Sequence, residues 1–263
     1  MSNNPNKLYD ANYYQSYAGQ PYERNLHWLV FFDLIAEKIV SEIGPQSVLD
    51  AGCAKGFLVE CLREHGVEAF GIDISDYAIQ QVREDIKPYC QVSSITEPLP
   101  RRYDLILCIE VLEHLPPPDT DQAILNLCRA SDDILFSSTP LGYRELTHFN
   151  VQPPEYWAEK FARHEFVRDM DFDAAGISPW AVRFRRNHEP WPRVVHDYER
   201  CFWLLKKENQ ELRSLAVELS SQLSVNRLPR PLRWLRLALA PFGSWRERML
   251  NLVMRLWRTR RRN

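Results

Sequence analysis

Two carboxylates and a run of small residues stand where a ligand can lie against bare backbone. In "VLDAGCAKGF", residues 48–57, Asp50 precedes Gly52, Ala54 and Gly56, and Asp73 closes the next apolar stretch in "GIDIS". A dinucleotide-binding turn needs G-x-G-x-x-G so that the backbone can approach a pyrophosphate at a helix N-terminus. The spacing Gly52-x-Ala54-x-Gly56 departs from that motif and fits a nucleoside without a bridging diphosphate. Asp73 is placed to accept both hydroxyls of a ribose, and Asp50 to take a cationic amine directly or through water. A second group can move protons: "IEVLEHL" carries Glu110, Glu113 and His114, and "THFNV" carries His148 and Asn150. Histidine titrates near neutrality, so either His114 or His148 can take the proton of a hydroxyl nucleophile. The Asn150 amide can hold a sugar hydroxyl beside it. Glu113, His114 and His148 also form a donor set for a divalent ion, but they suit acid–base work equally, and no metal is expected.

These residues need a frame that brings them together. Residues 26–43 repeat apolar side chains at Leu29, Phe32, Ile35, Ala36, Ile39, Val40 and Ile43, the stripe of a helix packed on a core, ended by Gly44-Pro45. A strand over 47–50, a helix over 57–64, a strand over 69–73 and a helix opening at Ser75 or Asp76 follow, then a short strand near 89–92. "YDLILCIEVL" is the near-continuous apolar run of a central parallel strand. A helix over 119–130 and the strand "DDILFSS" continue the alternation. The pattern predicts an α/β fold with a doubly wound, mostly parallel sheet. Past Pro140 come a loop, a helix over 155–163 and two strand-like pieces, 166–170 and 180–185, which can pair antiparallel and close the edge of a seven-stranded sheet. Ligands of such sheets bind beyond the carboxyl ends of the strands, where Asp50, Asp73, Glu110, His114 and His148 all fall.

The stretches "VLDAGCAKGFLVECL", "GIDIS" and "YDLILCIEVLEHL" resemble, in order and spacing, the motifs of class I S-adenosylmethionine-dependent methyltransferases, with coverage from about Tyr9 to Arg186. S-adenosylmethionine combines a ribose, an amino acid and a cationic sulfur, the parts the turn and its carboxylates call for. The resemblance implies that Asp50, Gly52 and Gly56 line the methionine portion, with Ala51 and Cys53 in the same set. It places Asp73 on the ribose with Ile74 beside it, and Glu110 near the cofactor. Two departures stand out: Ala54 replaces the usual middle glycine, and "QVSSIT" offers the Ser94 hydroxyl or the Ile95 backbone where many relatives carry an aspartate facing the adenine. "PYERNLHWLVFF" and "HFNVQPPEYWAEKF…SPWAVRF" look like the branch linked to bacterial glycan and surface-polysaccharide modification. The implied activity is O-methylation of a sugar hydroxyl in a lipid-linked or surface glycan. O-methylation of a quinone or small lipid, and a non-catalytic adaptor that keeps the cofactor fold, are the alternatives.

Four segments organise the chain: a lid and helix (1–45), the cofactor-binding core (46–190), a long helix (191–225) and a basic tail (226–263). Tyr13, Tyr14, Tyr17 and Tyr22 crowd the first segment, as a lid over ligand or as a surface strap. Trp157 and Trp180 are core residues or sugar-stacking platforms. The long helix, read from about 194 to 223, spaces Tyr198, Leu205, Leu212 and Leu219 by seven, with Cys201 and Leu215 on the same seam. Glu208 and Gln222 interrupt that seam, so a coiled coil with a protein partner and a helix packed on its own domain both stay open. From Asn226 on there are eleven arginines and one acid, a balance of +10 hidden within a net −2. Trp245, Met249, Leu252, Val253 and Leu256 share one helical face, and Arg248, Asn251, Arg255, Arg258 and Arg262 the other. Such a face suits an anionic membrane surface or a protein groove better than nucleic acid. Six cysteines without a CxxC pair fit reduced thiols in a cytoplasmic protein, peripheral on the inner membrane face if the tail engages lipid.

Overall fold

Strands too short to bury one face alone alternate with helices in the computed structural model, which describes residues 8–15, 21–142 and 145–225. In chain order the elements are α1 (Ala11–Gln15), α2 (Leu26–Glu42), β1 (Ser47–Ala51), α3 (Phe57–Glu64), β2 (Glu68–Asp73), α4 (Asp76–Gln80) and β3 (Cys90–Val92). Then come β4 (Leu105–Ile109), α5 (Pro117–Ala130), β5 (Asp133–Ser137), α6 (Pro154–Ala162), β6 (Phe166–Arg168), β7 (Val182–Arg186) and α7 (Trp191–Val225). The sheet order is β3-β2-β1-β4-β5-β7-β6. All neighbours are parallel except β7, which runs antiparallel to both β5 and β6, as the two edge pieces were expected to pair. The chain divides into two units at Val194, so α7 continues into the second.

Alternation along the strands builds two cores. Val48, Leu105 and Leu107 face Ile35, Ala36 and Ile39 of α2 and Leu58, Val59 and Leu62 of α3. Their neighbours Leu49, Ala51, Ile106 and Cys108 face the other way, onto Ile124 and Leu127 of α5 and Trp157 and Phe161 of α6. Trp157 is therefore a core residue, while Trp180 is 41% exposed. A third, aromatic cluster of Tyr14, Tyr22, Trp28 and Phe57 fixes the N-terminal segment against α3. All six cysteines are free thiols.

Three helices begin earlier than expected, each with a proline in its first turn. The sequence reading started them at 119, 155 and 194, whereas they start at Pro117, Pro154 and Trp191, with Pro192 in the first turn. The first-turn N–H groups have no intrahelical acceptor, so proline loses nothing there, and its fixed φ favours the helix. The sheet edge is held by Arg183 of β7, which pairs with Asp133 of β5 and with Asp169 just after β6. Tyr17 and the basic segment 226–263 lie outside the described residues. Among the described residues, no helix is long and apolar enough to cross a membrane.

One buried amide ties α5 to the loop after β3. Asn126 Nδ2 donates to the carbonyls of Ile95 (3.0 Å) and Glu97 (2.9 Å). Asn126→Leu leaves both acceptors without that donor, and we expect a loss of about 1–3 kcal/mol in stability, read as a lowered urea midpoint with an unchanged m-value.

Candidate active site

Between β1 and β4 the strand order reverses, and the diverging loops leave a crevice beyond the carboxyl ends. A cavity of about 790 Å³ occupies it. Its floor is the turn from β1 to α3, where Gly52 (φ 106°), Ala54 (φ 47°) and Gly56 (φ 72°) all have left-handed backbone. At Gly52 a Cβ would lie 2.3 Å from Val111 Cγ2, so only glycine lets this turn close against the end of β4. Ala54 adopts the same region with a methyl group attached, at a cost of about 1–2 kcal/mol. The departure from glycine is therefore a backbone strain as well as an added methyl.

Asp73 holds that turn in place. Its Oδ2 accepts the Ala54 N–H (2.8 Å) and its Oδ1 the Ser75 N–H (2.8 Å), stitching the turn after β1 to the one after β2. Each oxygen keeps a lone pair for a hydroxyl from the cavity. Burial raises the Asp73 pKa, opposed by those N–H donors. Asp50 is also buried, and its carboxyl accepts no hydrogen bond and forms no ion pair among the described residues. Burial first, and the charge of Asp73 second, push its pKa up to about 7. A buried carboxylate without a partner is costly, and a cationic group brought beside it removes that cost. The pair fits an adenosyl sulfonium compound: a diol acceptor and an anion awaiting an ammonium or sulfonium.

Nine of the sequence-predicted residues line the cavity. Asp50, Gly52, Cys53, Asp73 and Ile74 form one side, and Ser94, Ile95, Glu110 and His114 the other. The Ser94 hydroxyl pairs with Thr96 Oγ1 (2.7 Å) and accepts the Thr96 N–H (3.2 Å), which shapes the wall where an adenine aspartate was sought. Four residues are set back. Ala51 packs in the core, and Gly56 caps α3 with its Cβ position 3.2 Å from Cys90 Sγ. Glu113 is fully buried: Oε1 accepts the Thr139 N–H (3.3 Å), its backbone carbonyl accepts the Phe149 and Asn150 N–H groups, and burial, then Glu110, raises its pKa. His148 stands behind His114, with ring centroids 4.6 Å apart. Among the described residues no group of three or more His, Cys, Asp or Glu side chains is arranged to hold a metal.

Both histidines have their Nδ1 at a backbone carbonyl: His114 at Thr147 (3.0 Å) and His148 at Gly142 (3.1 Å). A carbonyl only accepts, so Nδ1 carries the proton in each. In neutral His114, Nε2 then keeps its lone pair. Burial, then His148, lowers the His114 pKa to about 4. Asn150, expected to hold an acceptor hydroxyl, is buried and spent instead, donating to Thr120 Oγ1 (2.9 Å) and accepting from Gln152 (3.0 Å).

Sequence reading missed three contributors. Tyr9 lines the cavity, its ring edge-on to His114 at 5.6 Å, and its carbonyl accepts the Ser75 hydroxyl (2.6 Å). Its place in the tyrosine-rich segment was the available signal. Ser137 and Ser178 donate to Glu110 Oε1 (2.6 and 3.3 Å), steadying a residue whose φ is 54°. Ser137 ends a predicted strand, but nothing near Ser178 marked it.

Residues 19–197 match a protein family described as a methyltransferase domain. The chain is similar to ubiquinone biosynthesis O-methyltransferases, 28% identical over 111 residues to that of Nitrosomonas europaea and 37% identical over 90 residues to that of Coxiella burnetii. These alignments cover 39% and 32% of this chain and 47% and 37% of the relatives, so the match spans less than half of each curated relative. Among solved structures, the PH0226 protein from Pyrococcus horikoshii OT3 superposes with a TM-score of 0.50 at 16% identity, over 62% of this chain and 93% of that one. That likeness is one of fold.

The raised pKa of Asp50 has a measurable consequence. Below about pH 7 its carboxyl is protonated and cannot pair with a cation, so affinity for S-adenosylmethionine should rise with pH. Titration calorimetry is expected to give roughly tenfold tighter binding at about pH 8 than at about pH 6, and Asp50→Asn should lose that dependence.

Proposed function

The chain belongs to the methyltransferase domain family, and from that premise we propose that it transfers a methyl group from S-adenosylmethionine to the hydroxyl of a small, largely apolar acceptor of phenolic, quinone-precursor type. The observation that carries the donor assignment is Asp50, buried at the switch point without a partner, beside a ribose acceptor in Asp73. When bound, the donor supplies an electrophilic methyl group on a cationic sulfur. The protein's part is to orient, to exclude water and to move one proton. His114 faces the cavity and, with its proton fixed at Nδ1, offers Nε2 to the acceptor hydroxyl. His148 supports it from behind through the ring contact, and Glu113 anchors the loop that carries both Phe149 and Asn150.

The acceptor class follows from what surrounds His114. Tyr9, Tyr13, Phe31, Phe32 and Phe149 give the cavity an aromatic lining. The one amide set aside for a sugar hydroxyl, Asn150, is engaged within the fold. The named activity of the curated relatives supports the quinone alternative over the glycan acceptor read from the sequence. An adaptor would have no use for a partnerless buried acid or for a tautomer-fixed histidine at the same cavity.

Labelled donor offered with catechol-type quinone precursors, and separately with extracted membrane glycans, tests this reading. Label is expected in the phenolic products; label confined to glycans overturns the acceptor class, and none in either overturns the activity. His114→Gln should lower kcat by about 10²-fold or more while donor affinity stays within about twofold. Because His114 must be neutral to accept a proton and titrates near 4, kcat at saturating donor should stay level from about pH 8 to about pH 5.5.

A further inference from the structure

Most of α7 carries a register that the methyl-transfer reading does not use. With Tyr198, Leu205, Leu212 and Leu219 at position d of a heptad, Val195, Phe202, Asn209 and Ala216 fall at a. In this frame Glu208 leaves the seam for position g, where charge is favoured, and the interruption it made in the neighbouring frame disappears. The seam is open to solvent: Val195, Phe202, Leu205 and Leu212 are 57%, 60%, 55% and 57% exposed. A helix of this kind draws most of its stability from covering its apolar face.

We propose that a second copy of this chain covers it, forming a parallel, in-register two-stranded coiled coil over residues 195–219. Charge and polarity favour this occupant and this orientation. In the parallel pair, g of one helix adjoins e of the following heptad in the other, so Glu208 meets Arg213 of the second copy, twice by symmetry. Asn209 meets Asn209 at the axis, where two amides hydrogen-bond to each other and fix register and strand number. Antiparallel pairing sets Asn209 against Leu205 instead. It also flanks the seam with like charges, Glu208 near Glu208 and Lys206 near Lys206.

Sedimentation equilibrium of the full chain is expected to give twice the 31.0 kDa chain mass at about 10 μM. Leu205→Asp with Leu212→Asp should raise the dimer Kd about 100-fold or more, with donor binding by calorimetry retained as the check on folding. Glu208→Arg should weaken the dimer, and adding Arg213→Glu should restore it to within a few-fold. In a Cys201→Ser background, Leu219→Cys should oxidise to a cross-linked dimer, because only the parallel register brings the two positions together. A monomer at that concentration, a dimer indifferent to the double aspartate variant, or a dimer that Leu219→Cys fails to cross-link overturns the proposal.

Discussion

One carboxylate closes two turns, and the cavity depends on it. β1 and β2 are adjacent and parallel, with Ala51 opposite Ile72, so the chain leaves both strands side by side. The Ile72 carbonyl accepts the N–H groups of Gly52 (2.8 Å) and Cys53 (3.0 Å), and Asp73 then takes those of Ala54 and Ser75. Hydrogen bonds to an ionised acceptor are among the stronger ones available. Three successive backbone donors of the first turn, and one of the second, are thus committed before any ligand arrives. The left-handed conformation of Ala54 is tolerable because its N–H has so strong an acceptor.

The β4 side is built differently, from supports under a single cavity-facing histidine. Glu110, Glu113 and His114 fall on a short 3₁₀ turn and its approach, which parts them: Glu110 and His114 face the cavity, while Glu113 points into the fold. The Glu113 carbonyl and carboxyl oxygens then bind the loop after β5, which brings His148 behind His114. Three residues that the sequence grouped as chemical therefore divide into two that face the cavity, Glu110 and His114, and one, Glu113, that is buried behind them.

The sheet was legible because its central strands are buried on both faces and read as unbroken apolar runs, while the flanking helices show a 3.6-residue stripe. The floor of the cavity was legible for a related reason: small residues at 52, 54 and 56 declare a turn that needs left-handed backbone. Contacts between distant segments were not legible. Ser178 reaches Glu110 across 68 residues of chain, and no local pattern foretells it. Likewise, the departure of Asn150 from the site depends on Thr120 of α5, thirty residues away. Helix starts were placed late at 117, 154 and 191, where a proline stands in the first turn.

A single physical cause gives the cavity its character. Loss of water raises Asp50 and lowers His114, so each is pushed toward its neutral form. An apolar cavity tolerates that state at little cost, and aromatic rings edge-on to His114 keep it so. With a pKa near 7, Asp50 changes charge in the neutral range, and a cation set beside it would favour the ionised form. Before any reaction His114 keeps Nε2 free of a proton in the neutral range, because burial disfavours its charged form. A polar sugar would have to exchange many hydrogen bonds with water for few in such a place, whereas a phenol gives up little, and its own lower pKa asks less of the weak base it meets.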